Sequence, residues 1–225
     1  MLEFEVIDHT ESPLGVFILR RRNPPEQDTL ELTLEHQLLM SSVVTFSERE
    51  LATRAIAMHG GGDLDVMIGG LGLGYTAKAA LDSDRVARVE VVEFVAGVIA
   101  WFERGLIPLG PELMPDPRLV VVQGDVYDRL RRAPIHTHDV MLIDVDHSPD
   151  AHLGETSDTF YDHPGLALAK QHLAANGVFG VWSTSESPWF EAELRKTFGE
   201  VRVEPISFFN DTTQQPETNW LFLAR

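Results

Sequence analysis

Residues Asp65–Gly74 read DVMIGGLGLG, and about twenty residues further on the run VEVVE closes at Glu93. Val66, Met67 and Ile68 give way to glycines at 69, 70, 72 and 74, and the next apolar run ends on a carboxylate. A short apolar run with no polar alternation, stopped by glycine, reads as a strand buried on both faces of a parallel sheet. Working outward, the same pattern recurs. Strands are expected at 64–69, 88–93, 119–122, 139–145, 177–183, 201–207 and 219–224, with helices at 73–82, 95–104, 125–131, 159–174 and 188–198. Alternating strands and helices build a doubly wound parallel sheet. The last two strands are joined by the helix-free loop FFNDTTQQPETN, which suits an antiparallel pair. The expected fold class is therefore α/β, a doubly wound, Rossmann-like seven-stranded sheet with an antiparallel last strand.

Ahead of that sheet, Phe4–Ile7, Gly15–Arg21 and Thr29–Leu34 read as short strands broken by ESPLG and RNPPEQD. Residues 1–45 are thus expected to form a small N-terminal β-rich cap that docks on the rest. Residues 46–63 read as a connecting helix and linker. Ser47 and Glu50 have the spacing of a capping box for a helix through Met58, and GGGD at 60–63 stops it. The Rossmann-like domain then spans 64–225.

Composition narrows the function. There are 35 acidic against 18 basic residues, a formal charge of -17, and three lysines. Such a surface repels nucleic acid and suits cationic small molecules. The absence of cysteine excludes disulfides, cysteine-ligated zinc and thiol catalysis. No segment is apolar for long enough to span a membrane. The start MLEFEVIDHT has no charged-then-apolar signal pattern, so a cytoplasmic address is expected.

The glycine turn narrows the ligand. A strand, a glycine turn and a helix start let backbone approach a ligand closely. A dinucleotide fingerprint needs its third glycine one residue later, where Tyr75 stands, and no phosphate-loop lysine is present. Gly70, Gly72 and Gly74 are read as the ligand loop. Glu93, at a strand tip, is placed to accept from two ribose hydroxyls, and Asp125, in the Gly124-Asp125 pair after LVVVQ, to hold an adenine amino group. A loop without phosphate-binding features and rich in carboxylates fits a sulfonium nucleoside.

The fourth strand, HDVMLIDVDHSPD, ends in Asp144, Asp146 and His147. Ligands of open α/β sheets lie beyond the carboxyl ends of the strands, so Asp144 is read as the catalytic carboxylate that binds an amine and takes its proton. Asp146 is read as a secondary amine ligand, and a structural acid remains the alternative for Asp144. His136, His138 and Asp139 sit ~26 Å of extended chain from Asp146 and His147, which rules out one shared metal site. No metal is expected, although a site from Asp144, Asp146, His147 and His152 stays open.

With these residues in place, the chain resembles the spermidine synthases, the polyamine aminopropyltransferase-like branch of the class I S-adenosylmethionine (SAM)-dependent methyltransferase fold. The likeness rests on GGLGLG, VVE with Glu93, GD with Asp125, the segment opened by Asp144, and TFYDHPGLALAKQHLAANGVFGV. It implies an enzyme moving an aminopropyl or other alkyl group from a sulfonium nucleoside to a small-molecule amine. Decarboxylated SAM or SAM itself would be the co-substrate. It also implies a homodimer, for which VFILRRR reads as an edge strand needing cover. On the amine side the chain departs from the family. Asp-Val-Asp-His-Ser-Pro replaces Asp-Ser-Ser-Asp-Pro, Trp182 stands where the family has a glutamine, and SERELAT lacks the family's tyrosine. Two other readings stay open, a SAM-dependent small-molecule methyltransferase and a non-catalytic nucleoside-binding protein. The missing arginine or lysine in GGLGLGYTA points to the decarboxylated donor, while Lys78, one helical turn on, leaves intact SAM open.

Overall fold

The computed structural model describes residues 4–22, 29–145, 148–151, 160–210 and 214–225. The N-terminal strands β1 (Phe4–Ser12), β2 (Gly15–Arg22), β3 (Thr29–Leu34) and β4 (Gln37–Ser41) form an antiparallel sheet in the order β1-β2-β3-β4. VFILRRR, in β2, is therefore an interior strand and not the expected edge; the edges are β1, with Phe4 and Val6 open to solvent, and β4, with Leu38 exposed. β4 was not anticipated. Phe17, Leu19, Leu30, Leu32 and Leu34 of this sheet join the same apolar core as the central strands.

Helix α1 (Phe46–His59) follows, and the capping-box expectation fails there. Thr45 is its N-cap and no side chain caps it. Ser47 instead lies inside the helix, fully buried, with its hydroxyl among three side-chain partners described below. The glycine stop holds: Gly60 takes the left-handed conformation and its N–H bonds to Ile56 O.

The main sheet has seven strands: β5 (Leu64–Gly69), β6 (Val86–Glu93), β7 (Leu119–Gln123), β8 (His138–Ile143), β9 (Leu173–Ser183), β10 (Val201–Asn210) and β11 (Gln215–Ala224). Their order is β10-β11-β9-β8-β5-β6-β7. β5 through β9 pair in parallel, and β11 runs antiparallel to both β9 and β10, as expected from the helix-free loop. The connecting helices are α2 (Tyr75–Leu81), α3 (Ala96–Glu103), the short α4 (Gly110–Leu113), α5 (Val126–Arg131), α6 (His163–Lys170) and α7 (Pro188–Thr197). One face of the sheet packs on α1, α2, α3 and the N-terminal sheet. The other buries an aromatic column that includes Tyr127, Phe160, Tyr161, Phe179, Phe190 and Phe222. No helix among the described residues is long and apolar enough to cross a membrane.

Strand order reverses direction between β5 and β8: β6 and β7 follow on one side, β9 on the other. A doubly wound sheet opens its crevice at this point, beyond the carboxyl ends of the strands. Gly70 and Asp144 directly follow the two strands that flank it.

Candidate active site

A cavity lies over that reversal, roofed by the N-terminal sheet. Gly70, Gly72, Glu93, Asp144, Glu48 and Trp182 all contribute to its lining. The charged side chains among the lining residues are the three carboxylates Glu48, Glu93 and Asp144, with the Tyr75 phenol beside them. Lys78, the cation nearest the loop in sequence, is turned away from it, paired with Asp82 and with Glu112 at 3.1 Å.

Close approach dictates two of the glycines. At Gly70, with φ +92°, an added Cβ would sit 2.3 Å from Asp144 O, so the two strand ends approach only because position 70 has no side chain. At Gly72, with φ +50°, a Cβ would meet Met40 Sδ at 2.5 Å. Gly74 faces away from the cavity. It is the left-handed N-cap of α2, with Leu109 and Leu113 beside it.

Glu93 is the keystone of the loop. Its Oε2 accepts from Leu71 N at 2.8 Å and its Oε1 from Val95 N at 2.7 Å. Burial pushes its carboxyl up, while the N–H groups of Val95, Leu71, Gly72 and Phe94 pull it back toward ionisation. A carboxylate has about four acceptor positions. Glu93 thus spends much of its capacity on the protein itself, organising the backbone that lines the cavity.

Asp144 lies just past the end of β8, not within it as the sequence suggested. Its backbone N–H bonds to Gly69 O at 3.0 Å, which carries the β5–β8 pairing one residue further. Its side chain accepts from Thr76 Oγ1 at 2.5 Å. Burial pushes the Asp144 carboxyl up to about 6, against the lowering effect of Thr76.

Sequence reasoning missed Glu48. In the first turn of α1 it is buried, and its Oε2 accepts from Ser47 Oγ at 2.9 Å. Ser47 Oγ also accepts from Trp182 Nε1 at 2.9 Å and from Asn219 Nδ2 at 2.8 Å. This hydroxyl ties α1 to β9 and β11 and orients the indole over the cavity. Desolvation, then the nearby Asp144 charge, pushes the Glu48 carboxyl up to about 7. Two buried carboxylates whose charges oppose each other hold a proton near neutral pH, and a cation between them would release it.

Asp125 lies apart from this group. It is the N-cap of α5, its Oδ1 accepting from Tyr127 N at 2.8 Å and Asp128 N at 3.2 Å, and it lines a different cavity with Glu90, Arg129 and His172. Asp146, His147 and His152 fall outside the described residues. At the opposite end of the sheet, Asp65, His136 and His138 bring ligand-type atoms within 4.8 Å of one another. Arg88 Nη1 occupies that group, 3.0 Å from Asp65 Oδ2 and 3.4 Å from His136 Nε2. Burial pushes the Asp65 carboxyl up, but its bonds to His138 and Arg88 outweigh this and hold it below its ordinary range. The arrangement is an ion-pair network.

No protein-family model matches the chain. A stretch of 125 residues is 34% identical to the polyamine aminopropyltransferase 2 of Streptomyces coelicolor, taking in 54% of this chain and 22% of that protein. The match thus spans less than a quarter of that relative's length. Among solved structures, the spermidine synthase of Thermotoga maritima superposes with a TM-score of 0.74 at 20% identity, over 97% of this chain and 71% of that one. A spermidine synthase in complex with the transition state analogue AdoDATO superposes with a TM-score of 0.75 at 19% identity, over 99% of this chain and 73% of that one. The chain has the spermidine synthase fold, a Rossmann-like sheet with a small N-terminal antiparallel sheet, and over about half its length it is similar in sequence to a polyamine aminopropyltransferase.

Proposed function

We propose that the chain transfers an aminopropyl group from decarboxylated SAM to an amine. One observation carries the reading. The cavity at the strand reversal combines a glycine loop with three carboxylates, Glu48, Glu93 and Asp144, and has no basic lining residue among those described. A donor with a sulfonium and an ammonium, and an acceptor that is itself an ammonium, are the ligands such a field attracts. Intact SAM would bring a further carboxylate into it. The similarity to a polyamine aminopropyltransferase supports the same reading.

In this mechanism Gly70, Gly72 and Glu93 shape the nucleoside end, with Glu93 on the ribose. Gly74 sets the helix start behind the loop, and Asp125 caps the helix beside the adenine end. Asp144 accepts a hydrogen bond from the acceptor ammonium and takes its proton. The freed nitrogen lone pair attacks the aminopropyl carbon bonded to sulfur. The carbon–sulfur bond breaks, its electron pair stays on sulfur, and neutral methylthioadenosine leaves. Glu48, beside Asp144, offsets the second positive charge, and Trp182 walls the acceptor side, where Asp146 would add a further acid. The alkylated amine departs as an ammonium once the proton on Asp144 passes to solvent.

The net charge of -17 argues against nucleic acid as a partner, and a cytoplasmic homodimer covering the exposed edge of β1 completes the proposal. Sedimentation at micromolar concentration tests the dimer. The activity is tested by incubating the protein with decarboxylated SAM and a panel of mono-, di- and triamines, with mass spectrometry of the products. Amine-dependent release of methylthioadenosine is expected. Binding of the nucleoside without any turnover across the panel would favour a non-catalytic role.

A further inference from the structure

We infer that Met40, from the N-terminal sheet, is the residue that makes the donor site select a decarboxylated sulfonium nucleoside over intact SAM. The inference rests on the nucleoside reading above and adds a specificity determinant to it.

Backbone N–H groups of a loop with left-handed glycines are natural carboxylate binders. Here the N–H groups of the loop apex are already directed at acceptors of the protein itself. Gly70 N bonds to Val92 O at 2.9 Å, Leu71 N to the Glu93 carboxylate at 2.8 Å and Gly74 N to Leu71 O at 2.8 Å, while the Gly72 N–H draws the same carboxylate toward ionisation. Leu73 N donates to Met40 Sδ at 3.1 Å. The first four belong to the loop's own construction and persist while Glu93 and β6 stay in place. The fifth is different: its acceptor is a neutral thioether, a weak acceptor, reaching in from another sheet. Leu73 N–H is thus the one loop donor that a ligand carboxylate would find by displacing a side chain.

Met40 also blocks the approach sterically. Its sulfur lies over Gly72, where only the absent Cβ leaves room for it. It lines the cavity alongside Glu48 and Asp144. A carboxylate arriving here must displace the thioether and lie among acids. A tail ending in an ammonium needs neither the N–H nor the space, and gains from the acids. The thioether therefore caps a donor that would otherwise bind an anion, at no charge of its own.

The test is calorimetric titration of methylthioadenosine, decarboxylated SAM and SAM into the wild-type chain, Met40→Ala and Met40→Gln. Alanine uncovers the N–H, and glutamine adds an amide donor at similar length. The wild type is expected to bind decarboxylated SAM about tenfold or more tightly than SAM, the size of one hydrogen bond to a charged group. In both variants that ratio should fall to about threefold or less through tighter SAM binding, while methylthioadenosine, which has no tail, changes by less than about threefold. Retained methylthioadenosine binding also reports that each variant is folded. A wild type that does not discriminate, or a ratio unchanged in both variants, overturns the role of Met40 and leaves the nucleoside reading standing. If methylthioadenosine fails to bind the wild type, the nucleoside reading falls, and the inference with it.

Discussion

Replacing Glu48 by glutamine removes a charge from a buried site and keeps its shape and its hydrogen bond from Ser47 Oγ. Desolvation, joined by the Asp144 charge, raises this carboxyl from 4.5 to about 7. Between those two pH values the folded chain holds a proton that the unfolded chain has released. Stability is therefore highest below about pH 4.5 and is lost as pH rises toward 7. Above that window the ionised folded form is disfavoured by up to about 3 kcal/mol, and relaxation around a coupled pair makes about 1–3 kcal/mol the working range. Glutamine carries no such term. Urea denaturation of wild type and Glu48→Gln at pH 4 and pH 8 measures it. The two should agree within about 0.5 kcal/mol at pH 4, with the variant more stable by about 1–3 kcal/mol at pH 8. The same stability difference at both pH values would refute the reasoning, since it would mean that Glu48 does not change its ionisation on folding.

Three further outcomes follow from the geometry. Thr76→Val removes the hydroxyl that holds the Asp144 carboxyl down. The acid limb of the pH–rate profile should then move up by about one to two pH units, the value of one hydrogen bond to a charged group. Phe190→Ala opens a cavity where the ring is fully buried 5.3 Å from Tyr161 and 5.0 Å from Phe222, and should cost about 3–5 kcal/mol in denaturant unfolding. Asp125→Ala deletes the N-cap of α5 and should cost about 1 kcal/mol of stability. A further loss of methylthioadenosine affinity in the same variant, read by calorimetry, would give Asp125 an adenine role beyond capping.

The order of strands and helices from Leu64 onward was legible because buried parallel strands are uninterrupted apolar runs and their boundaries are glycine or acid. The run TFYDHPGLALAKQHLAANG was less so. Its helix stops at Lys170 and β9 begins at Leu173, where the residues read helical but hydrogen bonding to β8 decides otherwise. β4 escaped notice because QLLMS has no glycine boundary of its own, and its strand character comes from pairing with β3. At the site, the glycine loop and Glu93 were visible as a local pattern. Glu48 was not. Ser47 and Glu50 matched a capping box, and only the tertiary placement of Trp182 and Asn219 against Ser47 turns that helix end into a cavity wall. Met40 and Thr76 were hidden for the same reason, since each gains meaning from a partner 33 or 68 residues away in the chain. Asp125 illustrates the converse: a carboxylate at a strand tip followed by a helix is also what an N-cap looks like.

The central claim is that Asp144 takes the proton of an amine attacking a sulfonium donor. Its most direct test is the rate of methylthioadenosine formation from decarboxylated SAM and an amine acceptor, wild type against Asp144→Asn, with methylthioadenosine affinity measured on the same samples. Asparagine keeps the shape and still accepts from Thr76, but removes the base. The account predicts a rate lower by about a hundred- to ten-thousand-fold with affinity changed by less than about threefold. A near-normal rate in Asp144→Asn would contradict it and leave Asp144 as a residue that only joins β8 to the glycine loop.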